Sequence, residues 1–190
     1  MATRLYDAAS RGDVATVEQL LASGAAINEI DSENGTALHG AAYRGQESTV
    51  QLLLRNGADP NLTNSGGSGP LHTACHVGHW NVVKDLLEAG ALVSAQTQEG
   101  TPPLTIAAGY SPDCTIIDLL VQFGADVNHS TSHGITPLMW AAGAGKKKNA
   151  QALLRLGADV SVKDKSGRTA LDWARDRQRP EIVKILLEAE

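Results

Sequence analysis

The sequence predicts an all-α repeat solenoid: six stacked helix-turn-helix units with projecting β-hairpin-like loops. Three observations carry that prediction. Leu5, Leu38, Leu71, Leu104, Leu138 and Leu171 recur at spacings of 33, 33, 33, 34 and 33 residues. Gly24, Gly57, Gly90, Gly124 and Gly157 recur at 33, 33, 34 and 33, so both registers take their extra residue in the same unit, between Leu104 and Gly124. The third is composition. With 27 Ala, 22 Leu and 19 Gly among 190 residues and a single Phe, the core must be built from small side chains, which suits helices stacked at close range.

The chain reads as one domain, 1–190. An N-terminal cap of about 1–30 opens directly in its first helix near Leu5. Complete units follow at about 31–63, 64–96, 97–130 and 131–163, and a C-terminal cap occupies about 164–190. Each full unit opens with a turn-prone stretch such as Ser132-His133-Gly134, then a helix start such as Thr136-Pro137-Leu138. Thr caps the helix with its hydroxyl, and Pro at the first helical position gives up no needed N–H. The first helix runs through Ala41-Ala42, Ala107-Ala108 or Ala141-Ala142 to Gly45, Gly78 or Gly145, where a left-handed residue reverses the chain. The second helix carries apolar residues at helical spacing, as in Val82, Val83, Leu86 and Leu87, with Lys84, Asp85 and Glu88 between them. It ends at Gly57-Ala58-Asp59 or Gly124-Ala125-Asp126, and an extended segment leads to the next turn.

Some units depart from this pattern. His39 and His72 follow the periodic Leu, but Thr105, Met139 and Asp172 replace them later, and the Thr cap gives way to Gly69 and Pro102. Tyr110-Ser111-Pro112-Asp113 lengthens the connection in the fourth unit. The fifth reads as the weakest. Lys146-Lys147-Lys148 opposes the helix dipole, and Asn149 stands where other units place Val82, Ile116 or Ile182, so this second helix is expected to fray most easily among the internal ones.

Thr36-Ala37-Leu38-His39, Gly69-Pro70-Leu71-His72, Gly134-Ile135-Thr136-Pro137-Leu138, Gly57-Ala58-Asp59-Pro60-Asn61 and Gly124-Ala125-Asp126-Val127-Asn128 resemble the ankyrin repeat, over essentially the whole chain. That resemblance implies a non-catalytic protein-protein interaction scaffold or adaptor. It also implies that a partner protein or peptide meets the concave face, formed by the turn tips and the exposed end of each first helix. By register the tips contribute Glu33, Ser68, Glu99, His133, Ile135, Lys165 and Arg168, and the helix ends Tyr43, Arg44, His76, Val77, Tyr110 and Arg177. Tyr43, His76 and Tyr110 fall on successive units where the repeat core needs no ring. With Glu33 and Glu99 acidic and Lys165, Arg168 and Arg177 basic, the groove is expected to be polarised, an acidic partner segment lying toward the C-terminal unit. The resemblance also raises hydroxylation of Asn28, Asn61 or Asn128, against a plain hydrogen-bonding role in the loops.

Competing readings are weighed by register. His72, Cys75, His76 and His79 have the spacing of zinc ligands on one helix. However, His72 repeats His39, Cys75 takes the place of Ala42, and Gly78 ends the helix before His79. Gly143-Ala144-Gly145-Lys146 lacks the first Gly, the final Ser or Thr and the strand of a phosphate loop, and Ser65-Gly66-Gly67-Ser68-Gly69 lacks the spacing of a nucleophile elbow. Trp140 and Trp173, two residues after the periodic Leu, read as packing between first helices. No catalytic, cofactor or metal residues are therefore expected. Sixteen Lys and Arg against 21 Asp and Glu give a formal charge of −5 and no general attraction to nucleic acid. No apolar run is long enough for membrane insertion, and charges interrupt any signal-like N-terminus. Two cysteines cannot form a disulfide framework, so an intracellular, cytoplasmic or nuclear protein is expected, monomeric by itself. The alternatives are a regulatory or inhibitory module excised from a larger protein and, ranked far lower, a metal-binding or enzymatic protein.

Overall fold

The computed structural model describes residues 4–31, 35–112 and 114–189. These form twelve helices in six consecutive pairs: α1 (Arg4–Arg11) with α2 (Val14–Ala22), α3 (Ala37–Arg44) with α4 (Glu47–Arg55), α5 (Pro70–Val77) with α6 (Trp80–Glu88), α7 (Pro103–Tyr110) with α8 (Thr115–Gln122), α9 (Pro137–Ala144) with α10 (Lys147–Arg155), and α11 (Ala170–Asp176) with α12 (Pro180–Leu187). First helices stack in one row and second helices in another. Contact along the first row is the more extensive, because Ala8-Ala9, Ala41-Ala42, Ala74-Cys75, Ala107-Ala108 and Ala141-Ala142 are fully buried there and let the backbones approach. The second row fills the rest of the core with Val50 and Leu53, Val83 and Leu86, Ile117 and Leu120, and Ala150 and Leu153.

Within a unit the chain reverses from first to second helix on a left-handed glycine, φ 68° at Gly45 and 78° at Gly145. Each N–H there caps carbonyls of the helix just ended. In the fourth unit the inserted residue changes this. Ser111 ends α7 with φ −56° and ψ 133°, and its N–H reaches only the Ala107 carbonyl. The missing donors come from the next unit. Asn149 is 2 % exposed, and the two N–H groups of its amide are shared among the carbonyls of Ala107 (3.2 Å), Ala108 (3.0 Å) and Ser111 (3.1 Å). Asn149 is thus the clasp of the insertion rather than a defect in its own helix. The lysines are likewise engaged: Lys146 Nζ donates to the Tyr110 carbonyl (3.0 Å), and Lys147 pairs with Glu181 on α12 (2.5 Å).

Among the described residues the projecting loops contain no strand, and their one β-bridge joins Asp31 to Gly35. Four of the hairpin-like tips are turns held by one side-chain oxygen that accepts the N–H groups two and four residues on. Asn64 does this for Gly66 and Ser68, Thr97 for Glu99 and Thr101, Thr131 for His133 and Ile135, and Asp164 for Ser166 and Arg168. At the opposite end of three units an asparagine bridges to the next, while Ser94 and Ser161 hold the equivalent positions in the other two. Asn28, Asn61 and Asn128 each donate to the carbonyl of Gly57, Gly90 or Gly157, and accept from the N–H of Asp59, Leu92 or Asp159.

Candidate functional site

The face on which a partner is expected is built on the first helices and the tips beside them. Its floor starts from how each helix is capped. Thr36 N–H donates to Nδ1 of His39 (3.0 Å) and Gly69 N–H to Nδ1 of His72 (3.2 Å). Nε2 must then carry the proton, and it donates outward to the next tip: His39 to the Ser68 carbonyl (3.0 Å), His72 to those of Ala95 (3.1 Å) and Thr101 (3.2 Å). Each imidazole joins two units. Burial pushes both pKa values below the ordinary histidine value. The later departures follow from the same chemistry. Met139 Sδ and Asp172 Oδ2 accept the N–H of Thr136 and Thr169, whereas Pro102 has no N–H to satisfy and Thr105 replaces the acceptor.

Over this floor runs a line of rings. His76 and Tyr110 have centroids 4.5 Å apart, Tyr110 and Trp140 6.2 Å, and Trp140 and Trp173 6.2 Å. Both tryptophans pack between first helices, as their register implies. Trp140 lies against Gly109 of α7 and Trp173 against Gly143 of α9 so closely that a Cβ at either glycine would meet the ring at 1.7 Å or 2.8 Å. Both remain half-buried, and with Tyr110, Ala144 and Arg177 they line a hollow of about 460 Å³. A second hollow of about 350 Å³, between Tyr6, Tyr43, Ser68, His72, Thr73 and His76, lies toward the N-terminal units.

Of the residues expected on this face, Tyr43, Arg44, His76, Glu99, Tyr110, His133, Lys165, Arg168 and Arg177 are exposed, and Ser68, Val77 and Ile135 are half-buried. Glu33 lies outside the described residues. Arg168 is less free than its position suggests. Its guanidinium pairs with Asp164 (3.0 Å) and Asp176 (3.7 Å) and lies 4.9 Å from the centre of the Trp173 ring. Asp164 also accepts the Trp173 indole N–H (2.9 Å). Burial pushes the Asp164 carboxyl up, but the backbone N–H groups of Arg168 and Ser166, the indole and the guanidinium outweigh it and hold its pKa at about 2. Arg168 therefore fixes Trp173 as well as lending charge to the rim.

Sequence reasoning passed over Trp140 and Trp173 as lining residues. The available signal was a pairing across units: each tryptophan, two residues after the periodic Leu, faces a glycine five residues after the preceding one, at the register position of Tyr43 and His76. Cys75 is fully buried, with its pKa raised by that burial, and His72 is committed at both ring nitrogens. Two of the four residues with zinc-ligand spacing are thus engaged within the fold.

A family model of ankyrin repeats, three copies, matches residues 5–97, 82–164 and 104–190. The chain is an ankyrin-repeat protein. Among curated proteins no match was found. Ankyrin repeats are in general protein-protein interaction modules and typically non-enzymatic. In this ankyrin array no described helix is long and apolar enough to cross a membrane.

Proposed function

We propose that this protein is a non-catalytic intracellular scaffold or adaptor that binds a partner protein or peptide along its concave face. One observation carries the reading: Tyr43 and Tyr110 stand 52 % and 44 % exposed on the first-helix ends of an array whose core uses almost no aromatic residues. Tyr, Trp and Arg are the side chains that most often dominate binding energy. Arg44 lies beside Tyr43, its guanidinium 5.6 Å from the ring centre, and Arg177 lies beside Trp173 in the same hollow. Glu99 on one tip and Lys165 on another favour a polarised partner, its acidic part toward the C-terminal unit. Cys75 and Cys114 as free thiols suit a reducing compartment.

Affinity capture from cell extract, run with wild type and with Tyr43, Tyr110 and Arg168 changed to Ala, tests the proposal. Each tyrosine change is expected to lower retention of the captured partner about tenfold or more, since truncating a hot-spot residue costs about 2 kcal/mol. Retention unchanged in both tyrosine variants, with their helical spectra intact, would remove the concave face as the binding surface.

A further inference from the structure

The hollow at the C-terminal end of the concave face combines three properties seldom found together on an exposed surface. It is apolar, walled by Tyr110, Trp140 and Trp173. It is preformed, because both tryptophans are seated on glycines and Trp173 is locked by Asp164 and Arg168. Its rings are therefore already ordered before a ligand arrives, which lowers the cost of binding. And it lies in the basic part of an acidic molecule. Residues 131–190 carry eleven Lys and Arg against seven Asp and Glu, whereas residues 1–130 carry five against fourteen. Around the rings themselves stand Lys146 on the Tyr110 carbonyl, Arg168 over Trp173 and Arg177 in the wall. Arg168 is offset by Asp164 and Asp176, and Arg177 is the lining cation with no ion pair among the described residues.

Resting on the concave-face reading above, we propose that this hollow receives a protein segment carrying two neighbouring apolar side chains and, beside them, an acidic residue that pairs with Arg177. Tyr110, Trp140 and Trp173 pack against one another in a row, their ring centres 6.2 Å apart at each of the two steps and tilted by 56° and 42°, so the row offers a continuous apolar floor on which two neighbouring apolar side chains can lie side by side. A basic side chain is disfavoured at the same place, because Arg177 in the wall meets it with like charge. The charge distribution thus selects an acidic partner segment over a basic one, and the rings select its apolar neighbours.

A phage-displayed library of random dodecapeptides, panned on the full chain, supplies the probe, and the most enriched sequence is then synthesised. Enrichment of two apolar residues with Asp or Glu close by is expected. On titration the indole N–H resonances of Trp140 and Trp173 shift while that of Trp80, on α6, stays in place. Tyr110→Ala weakens the synthetic peptide about tenfold. Arg177→Glu weakens it several-fold and regains affinity for the same peptide with its acidic residue changed to Lys. Both positions are exposed, so neither change opens the core, and circular dichroism checks that the helices persist. Enrichment of basic peptides, an unmoved Trp140 and Trp173, or no recovery on charge exchange overturns the proposal. If the cellular partner is still lost with Tyr43→Ala while Tyr110→Ala and Arg177→Glu leave peptide binding intact, the concave-face reading stands and the hollow's part in it does not.

Discussion

Replacing Asn149 by Val lowers the stability of the array by about 2–3 kcal/mol, although Val is the residue that an equivalent position already holds at Val82. The reason lies in the fourth unit. Its extra residue removes the glycine cap, and the buried Asn149 amide supplies the donors for the Ala107, Ala108 and Ser111 carbonyls. Val fills the space but donates nothing, and a buried polar group that loses its partner costs about 1–3 kcal/mol. Urea unfolding followed by circular dichroism measures the difference. Thr49→Val, at the equivalent position of the second unit, changes a buried hydroxyl that has no hydrogen-bond partner among the described residues, and serves as the control. Stability of Asn149→Val equal to wild type would show that the clasp contributes nothing.

Acidification through the histidine range is the second large effect. His39 and His72 hold their places only as neutral rings, because each Nδ1 accepts an N–H that a protonated ring would confront with another. Their pKa values in the folded chain lie below the free value, chiefly through burial. Below about pH 6.5 the unfolded chain therefore binds protons that the folded chain does not, and stability falls as the pH falls. Their contribution is fully present above that point, and each imidazole can remove at most about 1.4 kcal/mol per pH unit below it. Melting temperatures at pH 7.5, 6.5 and 5.5 should decline in that order. The His39→Met, His72→Met double variant, which borrows the acceptor of Met139, is expected to melt lower at pH 7.5 but to change less with pH. An equally steep decline in the double variant would assign the acid sensitivity elsewhere.

The repeat period made most of the fold legible before any coordinates. It placed the paired helices, the Ala pairs at the close contacts, Cys75 among them, and the glycine reversals, because each depends on neighbours within a few residues. The bonding role of Asn28, Asn61 and Asn128 was also readable. What escaped depends on two units at once. Asn149 looks like a flaw until the insertion 38 residues earlier is seen to leave carbonyls without caps. Trp140 and Trp173 look like buried packing until Gly109 and Gly143 are seen to seat them at the edge of a hollow. Arg168 is the exception, since its partners lie in its own unit: it reads as a free rim charge because residue types alone do not reveal that the turn buries Asp164, which serves the arginine, the indole and the turn together. The zinc-like spacing shows the converse: His72 and Cys75, close on one helix, are drawn to different neighbours.

The central claim is that partners meet the row of first-helix ends. Photo-crosslinking tests it most directly: p-benzoylphenylalanine is placed at Tyr43, at Tyr110 and, as a control, at Leu92, which is 58 % exposed in the segment after α6. After irradiation in cell extract, positions 43 and 110 are expected to yield the same crosslinked partner and position 92 none. A partner crosslinked at position 92 and at neither tyrosine position would contradict the account.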